Sequence, residues 1–236
     1  MNNLNFRGEN PGAVQYGNFI NYYQFHPPEN RINLLPETIW NTDKTFVGLD
    51  IGCNAGNLTL MLYEFLTKII KKPCYILGID IDPILIERAN EENSNDNIKF
   101  ICLDFMDSKN RDALISEYLA SHGVNKFSAI FCFSLTMWIH LNHGDSGLLS
   151  FLQQICTLSE MVIIEPQPWK CYRAAVKRMK QNNEEFPEYK KLKIRNDIEN
   201  TIENVLLNCC NGVSKILETE RTGWDRKVLF FNVVKS

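Results

Sequence analysis

The sequence has no surplus of positive charge: 25 Lys and Arg stand against 28 Asp and Glu in 236 residues, a net charge of -3 with His neutral. Indiscriminate coating of nucleic acid is driven by many cations displacing condensed counterions, so that class is excluded and an anionic partner, if there is one, is met locally. No apolar run approaches the roughly 20 residues a membrane-spanning helix needs. The opening "MNNLNFRGENPG" has no basic segment leading into an apolar core, so a soluble, unexported chain is expected, with no membrane partner. Eight cysteines are present (Cys53, Cys74, Cys102, Cys132, Cys156, Cys171, Cys209 and Cys210), yet none forms a C-x-x-C pair. Most fall in apolar runs, where a reduced thiol packs as a small hydrophobe, so neither a disulfide framework nor a metal site is expected. Repeats, low-complexity tracts and linkers are also absent. With 44% hydrophobic residues, the chain is expected to bury one core, as a single domain over 1–236 with residues 1–40 as an N-terminal arm.

What is present is alternation. Short runs rich in Ile, Val and Phe at 45–51, 75–80, 98–104, 128–135 and 161–166 are separated by helix-period segments at 56–68, 83–92, 110–121 and 145–158. That pattern predicts an α/β chain with a mostly parallel sheet. A helix starting after Pro168 and another at 197–209 follow, then two more strand-like runs at 213–220 and 227–234. The link "RTGWDR" between those runs is too short for a crossover helix, so they form an antiparallel hairpin. A seven-stranded, mostly parallel Rossmann-like sheet ending in such a hairpin is the Class I S-adenosylmethionine-dependent methyltransferase arrangement, although fold alone does not establish chemistry.

The segment "GLDIGCNAGNLTLML" runs from strand to turn to helix, and Gly52 and Gly56 would let backbone approach a ligand there. Asp50 at the strand end can accept hydrogen bonds from an ammonium. One β-α unit on, "YILGID" ends in Asp80, placed to take both ribose hydroxyls. The third strand leads into "LDFMD", so Asp104 and Phe105 can meet the amino group and ring of an adenine. Nicotinamide binding is disfavoured: the G-x-G-x-x-G pattern is missing, and a pyrophosphate would face these aspartates. A cationic sulfonium cofactor without phosphate, S-adenosyl-L-methionine, fits better. Asp82 reads as the cap of the helix beginning at Pro83.

Taken in order, "YGNFINYYQFHPPENRINLLP", "LDIGCNAG", "LDFMD", "TMWIHLNHGDSGL" and "EPQPWKCYRAA" make the chain resemble the bicoid-interacting-protein-type RNA methyltransferases over nearly its whole length. "WKCYRAA" after "EPQP" looks like the monophosphate branch and departs from the sister branch, which caps the 7SK RNA with methylphosphate. Tyr16 is more like that sister. The resemblance implies methylation of the 5′-monophosphate on small cytoplasmic RNAs, histidine tRNA favoured and microRNA precursors second, by a monomer, with no DNA partner. It also implies cofactor contacts at Arg31, Asn54, Asp80, Asp104, Phe105 and Phe133.

A terminal phosphate is largely a dianion at neutral pH, so its oxygens need alignment and no general base. The cations available to grip it lie on the helix after Pro168: Lys170 and Arg173 three apart on one face, then Lys177 and Arg178. Lys170, Arg173, Tyr16 and His140, with His143 nearby, are the expected RNA-positioning residues. Against that stand blander roles: a basic helix is usually a solvated face, a lone His a hydrogen-bonded structural residue, and Tyr16, Phe19, Tyr22, Tyr23 and Phe25 ordinary core. Amine methyltransfer is disfavoured because "FSLTMW" replaces the N/D-P-P-Y/F motif after the fourth strand. The remaining alternatives are capping of the γ-phosphate of a 5′-triphosphate RNA and a non-catalytic RNA-binding protein on a methyltransferase fold.

Overall fold

A computed structural model of the chain describes residues 13–40, 42–209 and 212–233. Three single-turn helices, α1 (Ala13–Tyr16), α2 (Tyr22–Phe25) and α3 (Glu29–Ile32), precede β1 (Phe46–Ile51). The chain then alternates: α4 (Asn57–Ile69), β2 (Cys74–Asp80), α5 (Pro83–Glu92), β3 (Ile98–Cys102), α6 (Ser108–Ser121), β4 (Ala129–Phe133), α7 (Thr136–Leu158), β5 (Met161–Glu165) and α8 (Trp169–Gln181). A 3-10 turn at Tyr189–Lys191 leads to α9 (Ile198–Cys209), β6 (Val213–Glu218) and β7 (Leu229–Val233). The seven strands form one sheet in the order β3-β2-β1-β4-β5-β7-β6. All neighbours among the first five are parallel, and β7 runs antiparallel to both β5 and β6. The direction of winding reverses between β1 and β4, which is where open α/β sheets leave a crevice beyond their strand ends.

The strands read as unbroken apolar runs because both faces are covered. Val47, Leu49 and Ile51 share a core with Leu148, Phe151 and Ile155 of α7 and with Ile202 and Leu206 of α9. Phe46, Ile76, Phe131 and Phe230 face the other way, toward Leu58, Leu62 and Leu66 of α4 and toward Trp40, whose ring lies 5.9 Å from that of Phe131. Residues 13–40 wrap across this framework: α1 packs on α7 and α8, and α3 on α4.

Local chemistry sets the helix starts. Asp82 accepts from the Ile84 N–H at 2.9 Å with Pro83 in the first turn, and Asp107 accepts from the Asn110 N–H at 3.3 Å. One boundary differs from expectation. The helix anticipated at 145–158 begins at Thr136 and passes through a kink at Gly144, where φ is 71°. Met137, His140, Leu141, Gly144, Leu148, Phe151 and Leu152 are buried at helical spacing, so burial carries the helix through a stretch whose His, Asn and Gly look like a loop.

Candidate active site

The crevice at the β1–β4 switch is lined strand end by strand end. Asp50 and Ile51 come from β1 with Gly52 just after it, Ile79 and Asp80 from β2, Leu103, Asp104 and Phe105 follow β3, and Phe133 ends β4 with Ser134 and Leu135 after it. Tyr16, Asn18, Tyr22, Tyr23 and Arg31 of the N-terminal segment and Trp138, Asn142 and His143 of α7 complete the wall.

The turn after β1 is held by backbone chemistry. The N–H groups of Gly52 and Cys53 both donate to the Ile79 carbonyl, at 2.8 and 3.0 Å. Gly52, Asn54 and Gly56 take left-handed φ values of 78°, 55° and 82°. Asn54 donates its N–H to Asp80 Oδ2 at 2.9 Å and its Nδ2 to the Phe19 carbonyl at 3.0 Å, tying the arm to the turn. Gly52 lines the cleft. Gly56 does not: a Cβ there would sit 2.7 Å from Phe100 Cζ and 3.1 Å from Ala89, so its smallness serves helix–sheet packing and not the approach of a ligand.

Asp80 also accepts from the Asp82 N–H at 3.0 Å, and burial, only partly opposed by these hydrogen bonds, pushes its carboxyl up to about 6. Asp50 is likewise pushed up to about 6 by burial, despite accepting from Thr59 Oγ1 at 2.6 Å, with the Asp80 charge adding to the rise. Asp104 uses Oδ1 to accept from the Met106 N–H at 2.8 Å. Phe105 is fixed edge-on against Phe151, with the Arg111 guanidinium 5.2 Å above its ring.

Arg31 organises the β4–β5 end of the cleft. Neither it nor Glu165 has an exposed side chain; Nε and Nη2 donate to Glu165 Oε2 at 3.0 and 2.8 Å, and Nη2 also reaches Tyr22 Oη at 2.7 Å and Ser134 Oγ at 2.9 Å. The rings of Tyr22, Phe133 and Trp224 surround the guanidinium at 5.5, 5.6 and 5.2 Å. Burial raises the Glu165 carboxyl, but Arg31 and Arg226 outweigh it and hold the group below the usual range. Glu165 also takes Ser134 Oγ at 2.6 Å and Trp224 Nε1 at 2.9 Å, so this carboxylate at the end of β5 is consumed inside the protein. Arg31 Nη1, in contrast, is buried and has no partner. A guanidinium nitrogen left without an acceptor beside a cleft is a seat for a carboxylate. With acceptors at Asp80 and Asp104 toward the other end, the cleft fits S-adenosylmethionine.

The residues expected on the acceptor side divide. Tyr16 lines the cleft, with its hydroxyl pKa raised by burial and then by Asp104. His140 does not serve: it is fully buried, with Nδ1 3.0 Å from Tyr172 Oη and Nε2 2.7 Å from Asp145 Oδ1. Asp145 in turn accepts from the N–H groups of Lys193 and Ile194, so His140 anchors the segment before α9, while His143 faces the cleft. No cluster of three or more metal-ligating side chains occurs among the described residues. Lys170 is half-exposed and paired with Asp225 at 2.6 Å, and Arg173 is exposed on the outer face of α8 beside Lys177 and Lys180; neither lines the cleft. Arg178 turns inward, 5.4 Å from the Phe19 ring. Arg226, Ser134 and Asn18 were not anticipated. Ser134 takes a left-handed φ of 54°, and Asn18 Nδ2 donates to Asp82 at 2.7 Å.

Sheet order, switch-point crevice and acidic strand ends define a Class I methyltransferase. The fold matches that of magnesium protoporphyrin IX methyltransferase from Synechocystis with bound SAH at a TM-score of 0.57, over 91% of this chain and 85% of that one, at 12% identity. A family model described as Bicoid-interacting protein 3 (Bin3) matches residues 127–233, and one described as a methyltransferase domain matches 49–143. The pre-miRNA 5′-monophosphate methyltransferase of Xenopus laevis is 40% identical over 241 residues, 94% of each chain. The RNA 5′-monophosphate methyltransferase of Homo sapiens is 40% identical over 245 residues, 94% of this chain and 81% of its own length. The chain belongs to the Bicoid-interacting protein 3 family and is a methyltransferase.

Proposed function

We propose that the chain transfers a methyl group from S-adenosylmethionine to the 5′-monophosphate of small RNA, with histidine tRNA favoured over microRNA precursors, acting as a monomer in the cytoplasm. The observation that carries the cofactor side is the buried, unpartnered Nη1 of Arg31 in a cleft whose strand ends present Asp80 and Asp104. The acceptor follows from the names of the 40% identical relatives. Retention of Gly52, Asp80 and Asp104 in one cleft disfavours a scaffold that has lost its cofactor.

S-adenosylmethionine supplies an electrophilic methyl on a sulfonium. Arg31 would hold the carboxylate of that cofactor, Asp80 its ribose hydroxyls, and Asp104 with Phe105 its adenine. Because the acceptor phosphate is already a nucleophilic dianion, no side chain has to remove a proton. The chain's contribution is to bring one phosphate oxygen in line with the methyl, an effect of proximity that supplies on the order of 7–11 kcal/mol.

The deciding measurement is transfer of labelled methyl to matched RNAs ending in 5′-hydroxyl, 5′-monophosphate or 5′-triphosphate, on histidine tRNA and on a microRNA precursor. Label is expected on the monophosphate RNAs alone, with the tRNA ahead. Equal labelling of 5′-hydroxyl RNA, or label only on internal bases, sinks the proposal; label confined to triphosphate RNA assigns the capping reaction instead.

A further inference from the structure

Arg31 is not alone in holding an unused donor. Among the described residues, Arg178 Nε and Arg226 Nε are also buried without a partner, as are Asn18 Oδ1 and His26 Nδ1. An orphaned buried donor costs about 1–3 kcal/mol, more when charged, and folded proteins keep few of them. Three such guanidinium groups in one part of a molecule with net charge -3 point to an anion.

The positions of two of them trace a path. Arg226 donates through Nη1 to Ser134 Oγ on the rim of the cleft and through Nη2 to Cys171 Sγ, 3.7 Å away on α8. Cys171 and Arg178 are seven residues apart on that helix, hence on one flank and about 10 Å apart along its axis. This flank turns toward the N-terminal arm, where Arg178 lies over Phe19. Glu165 is shared between Arg31 and Arg226, and Asp225 is occupied by Lys170. Arg178 has no ion-pair partner among the described residues, and burial holds its pKa below the ordinary value. Arg173, Lys177 and Lys180 occupy the opposite, outer face, away from the cleft.

We propose that the inner flank of α8 is the phosphate track for the acceptor RNA: Arg226, at the Ser134 rim, receives the terminal phosphate, and Arg178 receives the next phosphate along the chain. The assignment rests on the RNA 5′-phosphate reading above and moves the phosphate from Lys170 and Arg173 to two arginines whose buried Nε atoms have no acceptor.

The test measures binding of a short oligoribonucleotide, with 5′-phosphate or 5′-hydroxyl, to the full chain saturated with S-adenosylhomocysteine. Arg226→Lys keeps the charge but removes the two-pronged fork, and Arg178→Gln removes the charge. Each is expected to weaken the 5′-phosphorylated oligonucleotide about tenfold. Arg226→Lys should also bring the ratio of phosphorylated to hydroxyl affinity close to one, whereas Arg178→Gln should weaken both oligonucleotides alike. Titration with S-adenosylhomocysteine alone reports whether each variant is folded, and its affinity should stay within about twofold for Arg178→Gln. Full phosphate preference in folded Arg226→Lys overturns the proposal, as does loss of that preference in Lys170→Ala or Arg173→Ala while both arginine variants keep it. An unsubstituted protein without any phosphate preference overturns the reading of the reaction itself, and the subsite with it.

Discussion

Replacing Glu165 with Gln tests the Arg31 site most directly. In the unsubstituted protein two guanidinium groups, those of Arg31 and Arg226, share one buried carboxylate, and none of the three side chains is appreciably exposed. His26 adds no charge, since burial and then the two arginines hold its pKa below the usual value. The site therefore carries a charge of about +1, and Glu165→Gln raises it to about +2 in a place with little water to screen it. Breaking a buried pair from one side costs about 3–5 kcal/mol, because the survivor keeps its desolvation penalty without its partner. At about 2–4 °C per kcal/mol for a chain of this size, the midpoint of thermal unfolding should fall by roughly 6–20 °C. Arg31→Met is the control. It leaves Glu165 with Arg226, the Ser134 hydroxyl and the Trp224 N–H, so about 1–3 kcal/mol is expected, together with a large loss of cofactor affinity. Urea and thermal melts of both variants, with calorimetric titration of S-adenosylmethionine, separate the two effects. A Glu165→Gln cost no larger than that of Arg31→Met would refute the reasoning, because the second arginine would then not depend on that carboxylate.

Affinity for S-adenosylmethionine should fall as pH drops through about 6. The raised pKa of Asp80 means that it gains its proton there, and a protonated carboxyl offers the ribose one acceptor fewer. Asp80→Asn should bind weakly throughout and with a shallower pH profile, and an affinity that is flat between about pH 8 and about pH 5 in the unsubstituted protein would remove Asp80 from the role. Gly56→Ala should lower stability by about 2–5 kcal/mol, combining the left-handed φ with the clash against Phe100, while the folded fraction binds cofactor within about threefold of normal. A large affinity loss with unchanged urea midpoint would return Gly56 to the ligand.

Strands and caps were legible because their causes are local. Five apolar runs located the parallel strands to within a few residues, the short "RTGWDR" link implied the hairpin, and Asp82 before Pro83 announced a cap that the Ile84 N–H confirms. Asp50, Gly52, Asp80, Asp104 and Phe105 reached one cleft because strand ends at a switch point converge whatever their side chains. The errors are those of partners far apart in sequence. Nothing local to Glu165, at the end of β5, shows that its main partner lies 134 residues earlier, at Arg31. His140 reads as an available donor until Tyr172 and Asp145 close around it. Gly56 fits a ligand turn equally well on paper, and only the position of Phe100 distinguishes packing from binding. Arg226 gives no signal in the loop 219–228, because its meaning comes from Ser134 and Cys171, which other elements bring to it.

The N-terminal segment links the two halves of the reaction physically. The carbonyl of Phe19 accepts from Asn54 in the cofactor turn, while its ring lies under Arg178 on the inner flank of α8. Asn18, one residue earlier, is tied to the Asp82 cap behind Asp80, and Tyr22, three residues later, takes a hydrogen bond from Arg31. These four contacts are made to four different elements by a stretch with little regular structure of its own, so its position is set by the folded sheet and helices and not by local propensity. The segment that walls the methyl donor's cleft thus also fixes one side of the phosphate track. Donor and acceptor can be aligned to the tolerance that in-line transfer demands because both are measured from the same short piece of backbone.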